Sequence, residues 1–193
     1  MPSFAQLSLL ATVAFAALSA AAPVAPKRDL LALPAILTQL VADLTPVTDL
    51  LSSVVLSNAT AEVVTPLAAQ IESIIGAALT EVNALAGSPE DTVLATVDGV
   101  LSVTDAAALL APVLTIVYST LGSVLAVIDS TPAAAILQPI INDASAALGP
   151  LLTAISPLVN GLLAAVAPLV GPIVASLDNL GLGPVVGLLN SVL

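Results

Sequence analysis

Carboxylates are almost the only side chains in this sequence that could take part in catalysis. The chain has 193 residues, of which 13 are Asp or Glu, two are Lys or Arg, and none is His or Cys. A Ser-His-Asp or Cys-His nucleophile needs a base that is missing here, and ordinary zinc, copper or iron sites need His or Cys. The pair Glu90-Asp91 could in principle serve glycoside hydrolysis, but it follows Ser88-Pro89, where the start of a helix favours acids. We therefore expect no enzyme activity, no catalytic residue, no cofactor and no metal site.

Two short motifs predict processing of the chain. Lys27-Arg28 precedes Asp29 and looks like a cut site for a furin-type or yeast-type secretory protease. The alternative is that two basic residues lie by chance on a flexible linker. Asn58-Ala59-Thr60 is an N-glycosylation sequon, which would be usable in the secretory route. The candidate processing residues are therefore Lys27 and Arg28, and the candidate glycosylation residue is Asn58.

The first residues are typical of a secretory leader. Leu7–Leu18 is an apolar core of signal-peptide length, and Ala20-Ala21-Ala22 fits the A-x-A cleavage rule. We expect a signal peptide over residues 1–22 and a short propeptide over 23–28. The predicted location is extracellular or cell-wall-associated. Because the chain has no Cys, it has no disulfide framework, and its stability must come from buried apolar surface.

Charge divides the remaining chain into two regions. Residues 29–105, the front, carry ten acids, whereas residues 106–193, the back, carry three. Neither region contains a base, so the net charge repels nucleic acid and we expect no nucleic-acid partner. The sequence therefore predicts an acidic amphipathic front and an apolar back.

Apolar spacing predicts an all-α fold. Large apolar residues recur at helical spacing between Pro66 and Ala86, and a shorter stripe runs from Ile36 to Leu44. Thr45-Pro46 and Thr65-Pro66 resemble helix starts, and the apolar residues between Val93 and Leu101 predict a further helix. Seven prolines between 132 and 184 predict breaks in the back. We expect amphipathic helical hairpins in the N-terminal half and Pro-broken apolar helices in the C-terminal half.

Two uncharged stretches of the back, 106–128 and 144–177, are long enough to cross a membrane. The absence of Lys and Arg after Arg28 and the lack of an aromatic belt argue against spanning, and a buried core helix is the alternative. The sequence leaves open whether either stretch inserts into a membrane.

The sparse charge of the back predicts a function. Three acids can hardly give this region a solvated outer face, so we expect exposed apolar surface there. The leading hypothesis is a secreted, surface-active structural or interaction protein that adsorbs through its back to hydrophobic surfaces, lipids or cell-wall material. The alternatives are a small helical lipid or sterol carrier, which needs a closed pocket, and a membrane-inserted helical protein.

We expect acid to promote self-association. The carboxylates are the main source of repulsion between copies of the chain, and protonation removes that repulsion. Dynamic light scattering should therefore show larger particles at about pH 3.5 than at about pH 7. An unchanged particle size across this range would contradict the prediction.

The segment 101–114 (LSVTDAAALLAPVL), followed by spaced Leu121 and Leu125, resembles the fungal hydrophobic surface binding protein A family. The leader, Lys27-Arg28-Asp29 and the absence of cysteine add to this resemblance. It implies a small secreted helical protein that adsorbs to hydrophobic surfaces and can recruit polyester-degrading hydrolases. The acidic front and apolar back are also similar to secreted basidiomycete hyphal-surface proteins, which act beside hydrophobins in aerial growth and attachment. The Pro-rich region 132–193 and the lack of lysine after Lys27 depart from the first family, and no functional residue is carried over from either.

Overall fold

The structure, a computed structural model, describes residues 31–129 and 131–178, the last seven of them (172–178) as backbone only. The described chain is helical apart from one short hairpin, which confirms the all-α prediction. The helices are α1 (Leu33–Ser52), α2 (Ala61–Ala84), α3 (Glu90–Val93), α4 (Val103–Ile128), α5 (Ala134–Ala146), α6 (Leu148–Ile155) and α7 (Leu162–Asp178). Strands β1 (Ala95–Thr96) and β2 (Gly99–Val100) pair in antiparallel orientation between α3 and α4.

The helices enclose one hydrophobic core. α1 packs against α2 and α4, α2 packs against α5 and α6, and α5 returns to α4, so these elements form a closed ring of neighbours. α7 packs on α4, and β1 lies against α1. Buried residues from the front and from the back belong to the same core cluster. The front and the back therefore differ in composition but share one hydrophobic core.

The apolar stripes read from the sequence become the buried faces of α1 and α2. Ile36, Leu37, Leu40 and Leu44 of α1 are each at most 2% exposed. The α2 stripe is also buried at Leu67, Ile71, Ile75, Val82 and, just beyond the helix, Leu85. The chain leaves α2 through Gly87, whose φ of +86° is a left-handed value that glycine adopts without a steric penalty.

The prediction that Pro46 and Pro66 begin helices is wrong, because both lie inside helices that start more than one turn earlier. Pro112 and Pro139 lie inside α4 and α5 in the same way. A proline in a helix leaves the carbonyl four residues earlier without its N–H partner. At Pro46 that carbonyl belongs to Ala42, and both residues are exposed, so water can take the place of the missing donor.

The predicted helix between Val93 and Leu101 is also wrong. α3 ends at Val93, and residues 95–100 form the hairpin. Gly99 has φ +136°, and Thr96 Oγ1 donates to the Gly99 carbonyl at 2.8 Å. The two residues between the strands are Val97 and Asp98, and Gly99 begins β2. An Asp-Gly pair is frequent at hairpin turns, so the sequence carried a signal for this hairpin beside the apolar spacing.

Prolines break the back at fewer points than expected. α4 is continuous over 26 residues, and Ser102 caps its start by accepting the Asp105 N–H at 3.1 Å. The stretch 144–177 is divided among α5, α6 and α7, with a break between Ile155 and Leu162. Gly161, with φ +78°, lies in that break. The prediction of Pro-broken apolar helices is therefore right at Pro132 and Pro157, which lie between helices, and wrong at Pro139 and Pro168, which lie inside α5 and α7.

Candidate functional site

The large exposed apolar side chains lie mainly in the front of the chain. Seven of the nine that the described residues expose belong to residues 31–100, and two belong to the back. The expectation that the back exposes apolar surface is therefore wrong for large side chains, because the apolar residues that the described back exposes are mainly Ala and Pro. Few large apolar side chains of the back are exposed because α4 packs against α1, α5 and α7, which buries its apolar faces in the core. The nine residues are Leu31, Leu50, Val55, Leu56, Val63, Val97, Val100, Ile136 and Leu169.

Four of these residues surround the connection between α1 and α2, and we call them the apolar tip: Leu50, Val55, Leu56 and Val63. Leu50 is 55% exposed at the end of α1, and Val63 is 37% exposed in the first turn of α2. Val55 and Leu56, in the connection itself, are 52% and 63% exposed. Sequence reasoning missed this cluster. Its signal was an apolar run, Val54 to Leu56, inside a connection where polar residues are the rule.

Hydrogen bonds hold the connection in a defined shape. The Val55 N–H donates to Asn58 Oδ1 at 2.6 Å, and the Asn58 and Ala59 N–H groups donate back to the Val55 carbonyl at 2.9 and 3.0 Å. Val54 and Ala59 are buried on the inner side. Because the inner residues and these bonds fix the backbone, Val55 and Leu56 are held toward solvent.

Of the three predicted modification residues, the structure describes Asn58. Asn58 lies in the connection, where it is half-buried and its Nδ2 donates to the Ser53 carbonyl at 3.4 Å. An attached glycan would therefore stand beside the apolar tip. Lys27 and Arg28 lie outside the described residues, as do the predicted signal peptide and propeptide.

The described carboxylates are spread over the surface. Gln39 Nε2 donates to Asp43 Oδ1 at 2.8 Å, and Gln138 Nε2 donates to Asp129 Oδ1 at the same distance. Within residues 31–129 and 131–178, no three residues of the types His, Cys, Asp and Glu are grouped so that they could hold a metal ion. Every described carboxylate side chain except Glu81 is exposed to solvent.

Two grooves open on the surface of the bundle. One, of about 200 Å³, lies between α1 and α2 and is lined by Ile36, Asp43, Ile74 and Glu81 among others. The other, of about 500 Å³, lies between α2 and α6 beside Asn83 and Pro150. Both grooves are open to solvent, so neither is the closed pocket that a lipid carrier needs.

The core contains very few polar side chains. Among the described residues the buried side chains that carry a polar group are Thr48, Ser145 and Tyr118. Thr48 Oγ1 donates to the carbonyls of Leu44 and Thr45 at 3.0 Å each, and Ser145 Oγ donates to the Asn142 carbonyl at 2.8 Å. All of these acceptors lie in the donor's own helix. The described core is therefore held between helices by apolar contact, without a buried polar side chain that ties one helix to another.

Tyr118, on α4, is the single tyrosine of the chain and is 2% exposed. Burial raises the pKa of its phenol well above the usual value near 10, because the charged phenolate would lose its hydration. The neutral phenol is therefore the form that the core accommodates.

Two described helices, α2 and α4, are long and apolar enough to cross a membrane. Slightly more than half of the apolar window of α4 is buried inside the bundle, and less than a third of that of α2. Core helices of soluble proteins pass the same length and composition test, so this observation is weak support for insertion.

The chain was compared with known proteins at the levels of family, sequence and structure. No protein-family model, no curated protein and no solved structure matches it.

Proposed function

We propose that this chain is a secreted, surface-active protein that adsorbs to hydrophobic surfaces, in the extracellular space or at the cell wall. Adsorption here means that the folded bundle opens on the surface. The apolar faces of the back helices, α4 above all, then exchange contact with other helices for contact with the surface. The carboxylates of the front stay in water.

The observation that supports this proposal best is the predominantly apolar contact between the helices of the core. Thr48 and Ser145 bond within their own helices, so opening the bundle breaks no hydrogen bond from a buried polar side chain to another helix. Separating apolar helices in water costs about 25 cal/mol for each Å² exposed. A hydrophobic surface that covers the same area returns most of that free energy. The hydrophobic surface can therefore compete with the core for contact with the apolar faces of the helices.

The distribution of charge supports the same function. Asp43, Asp49, Glu62 and Glu72 lie on the exposed sides of α1 and α2, away from the core. After adsorption these carboxylates would face water and repel neighbouring copies. A coat of this protein would then stay hydrated on its outer side.

The direct test is adsorption of the purified protein to hydrocarbon-coated silica, followed by quartz crystal microbalance. We expect a stable layer on the coated silica and little binding to bare hydroxylated silica. On hydrocarbon nanoparticles, the far-UV circular dichroism of the helices should persist, whereas the near-UV signal of Tyr118 should fade as its fixed packing is lost. Equal binding to coated and bare silica would contradict the proposed function.

A destabilised variant tests the opening step separately. Leu121→Ala removes a fully buried side chain from α4 and should populate the open bundle more often. Its adsorption to hydrocarbon should be at least about tenfold faster than that of the wild type, because about 1.4 kcal/mol changes a population tenfold. Leu169→Ala, the same change at a half-exposed position of α7, is the control. If both variants adsorb at the wild-type rate, the protein adsorbs without opening.

The resemblance to the hydrophobic surface binding protein A family extends this proposal to a partner. A protein adsorbed on a polyester would be placed to recruit a secreted hydrolase to that surface. Co-sedimentation of a polyester hydrolase with polymer particles, measured with and without this protein, tests that extension.

A further inference from the structure

We propose that the apolar tip is the part of the folded bundle that first contacts the surface, and that its occupant is an uncharged hydrocarbon surface. This inference rests on the proposed function, because it names the place at which adsorption of the closed bundle begins. Before opening, the faces of α4 are covered, so first contact must use side chains that are already exposed.

The shape of the tip favours insertion. Leu56 and Val55 stand at the outer side of a connection whose inner residues, Val54 and Ala59, are buried. The hydrogen bonds between Val55 and Asn58 hold these side chains outward before any contact is made. A surface that binds them therefore pays little additional conformational entropy for ordering the loop.

The charges around the tip select the kind of surface. Asp49 and Glu62, one residue before Leu50 and one before Val63, are both exposed. The described chain contains no Lys, Arg or His that could attract an anionic headgroup. Anionic lipid or nucleic acid would therefore be repelled, whereas an uncharged hydrocarbon phase adds no charge repulsion and accepts the apolar side chains while Asp49 and Glu62 stay on its aqueous side.

The size of the tip argues against a protein partner. At about 25 cal/mol per Å², burial of a whole Leu or Val side chain corresponds to roughly 100 Å², so four half-exposed side chains offer at most a few hundred Å². A stable protein interface covers about 800 Å² on each partner. A hydrocarbon phase has no such minimum, because each inserted side chain gains its transfer free energy separately.

The experiment measures binding of the full chain to uncharged hydrocarbon-coated particles and to the same particles carrying surface carboxylates. The tip variant is Leu50→Ser with Leu56→Ser. The matched control is Val97→Ser with Val100→Ser, which removes two exposed apolar side chains from the hairpin at another place on the bundle. Urea unfolding of each variant shows that the bundle is intact, which these exposed positions should allow.

A second measurement leaves the tip residues unchanged. The chain has no Cys, so Ser57→Cys offers one thiol beside the tip for attachment of a polyethylene glycol chain. Thr80→Cys offers the same attachment on the exposed side of α2, 17 residues after Val63 and therefore about 25 Å along the helix from it. The polymer at position 57 should hinder adsorption, and the polymer at position 80 should hinder it much less.

We expect the tip variant to adsorb to uncharged particles at least about tenfold more slowly than wild type, the hairpin variant to adsorb within about twofold of the wild-type rate, and the carboxylated particles to take up little wild-type protein. If wild type binds but the tip variant adsorbs equally fast, the tip is not the first contact site although the proposed function stands. An equal loss in the hairpin variant, or strong binding to carboxylated particles, would also overturn the inference. If wild type does not bind hydrocarbon at all, the proposed function itself fails.

Discussion

Leu121→Asp is expected to unfold the bundle at neutral pH and to let it refold in part when the pH falls to about 4. Leu121 is fully buried on α4, the helix that packs against α1, α5 and α7. Loss of its packing alone should cost about 3 kcal/mol. The new carboxylate adds a second cost that depends on pH.

That second cost is large because this chain has no cation to pair with a buried carboxylate. No residue after Arg28 is Lys, Arg or His. Burial therefore favours the protonated form and raises the pKa of the new carboxyl above its unfolded value of about 4. A group whose folded pKa is raised keeps its stability below the unfolded pKa and loses about 1.4 kcal/mol for each pH unit above it. By pH 7 the loss approaches about 4 kcal/mol, which together with the packing loss rivals the 5–15 kcal/mol of a typical domain.

Circular dichroism at 222 nm between about pH 4 and pH 8 would measure this effect. Leu121→Asn is the matched control, because it loses the same packing and carries a polar group that does not titrate. The aspartate variant should lose helix as the pH rises, while the asparagine variant should give a flat profile. Parallel profiles for the two variants would mean that residue 121 is not enclosed by the core.

In the wild type, the stability of the bundle is expected to fall steeply in alkali because of Tyr118. Burial raises the pKa of this phenol above its usual value, so the folded state keeps the proton at a pH where the unfolded state has lost it. The contribution is therefore complete below about pH 10 and decreases by about 1.4 kcal/mol for each pH unit above that. By about pH 12 the free energy of unfolding should be lower by roughly 3 kcal/mol.

Urea unfolding at about pH 9, 11 and 12, followed by far-UV circular dichroism, would measure this decrease. Tyr118→Phe removes the titrating hydroxyl and keeps the ring, so its stability should change little over the same range. Absorbance at 295 nm should show that the wild-type phenol ionises together with unfolding. Ionisation of Tyr118 near pH 10 in a protein that remains folded would contradict the burial of its side chain.

The sequence predicted the helical fold because apolar spacing is a local property of the chain. The stripe from Ile36 to Leu44 and the stripe within 66–86 became buried faces, as the 3.6-residue period requires. Helix boundaries were harder to predict. A threonine followed by proline is typical of a helix start, but Pro46 could equally lie in the middle of α1 because its side of the helix faces water. Solvent exposure depends on tertiary packing, which no local motif records.

The position of the exposed apolar surface could not be predicted for a similar reason. Composition placed it in the back, where acids are few. In the structure the back helices cover one another and are covered by α1 and α2, while the α1–α2 connection leaves Val55 and Leu56 outside. Whether an apolar residue is exposed depends on how many neighbouring helices it meets. Only the assembled bundle supplies that information.

The mainly aliphatic contact between the helices also has a consequence for how such a chain can change over time. Apart from Tyr118, the core consists largely of Leu, Ile, Val and Ala, and exchanges among these residues that preserve volume usually cost less than about 1.5 kcal/mol. No buried polar residue has to keep its identity for the sake of a partner in another helix. Homologues of this chain could therefore differ at most of their core residues and keep the same fold. Their relationship would then be easier to detect from the fold and the apolar pattern than from sequence identity.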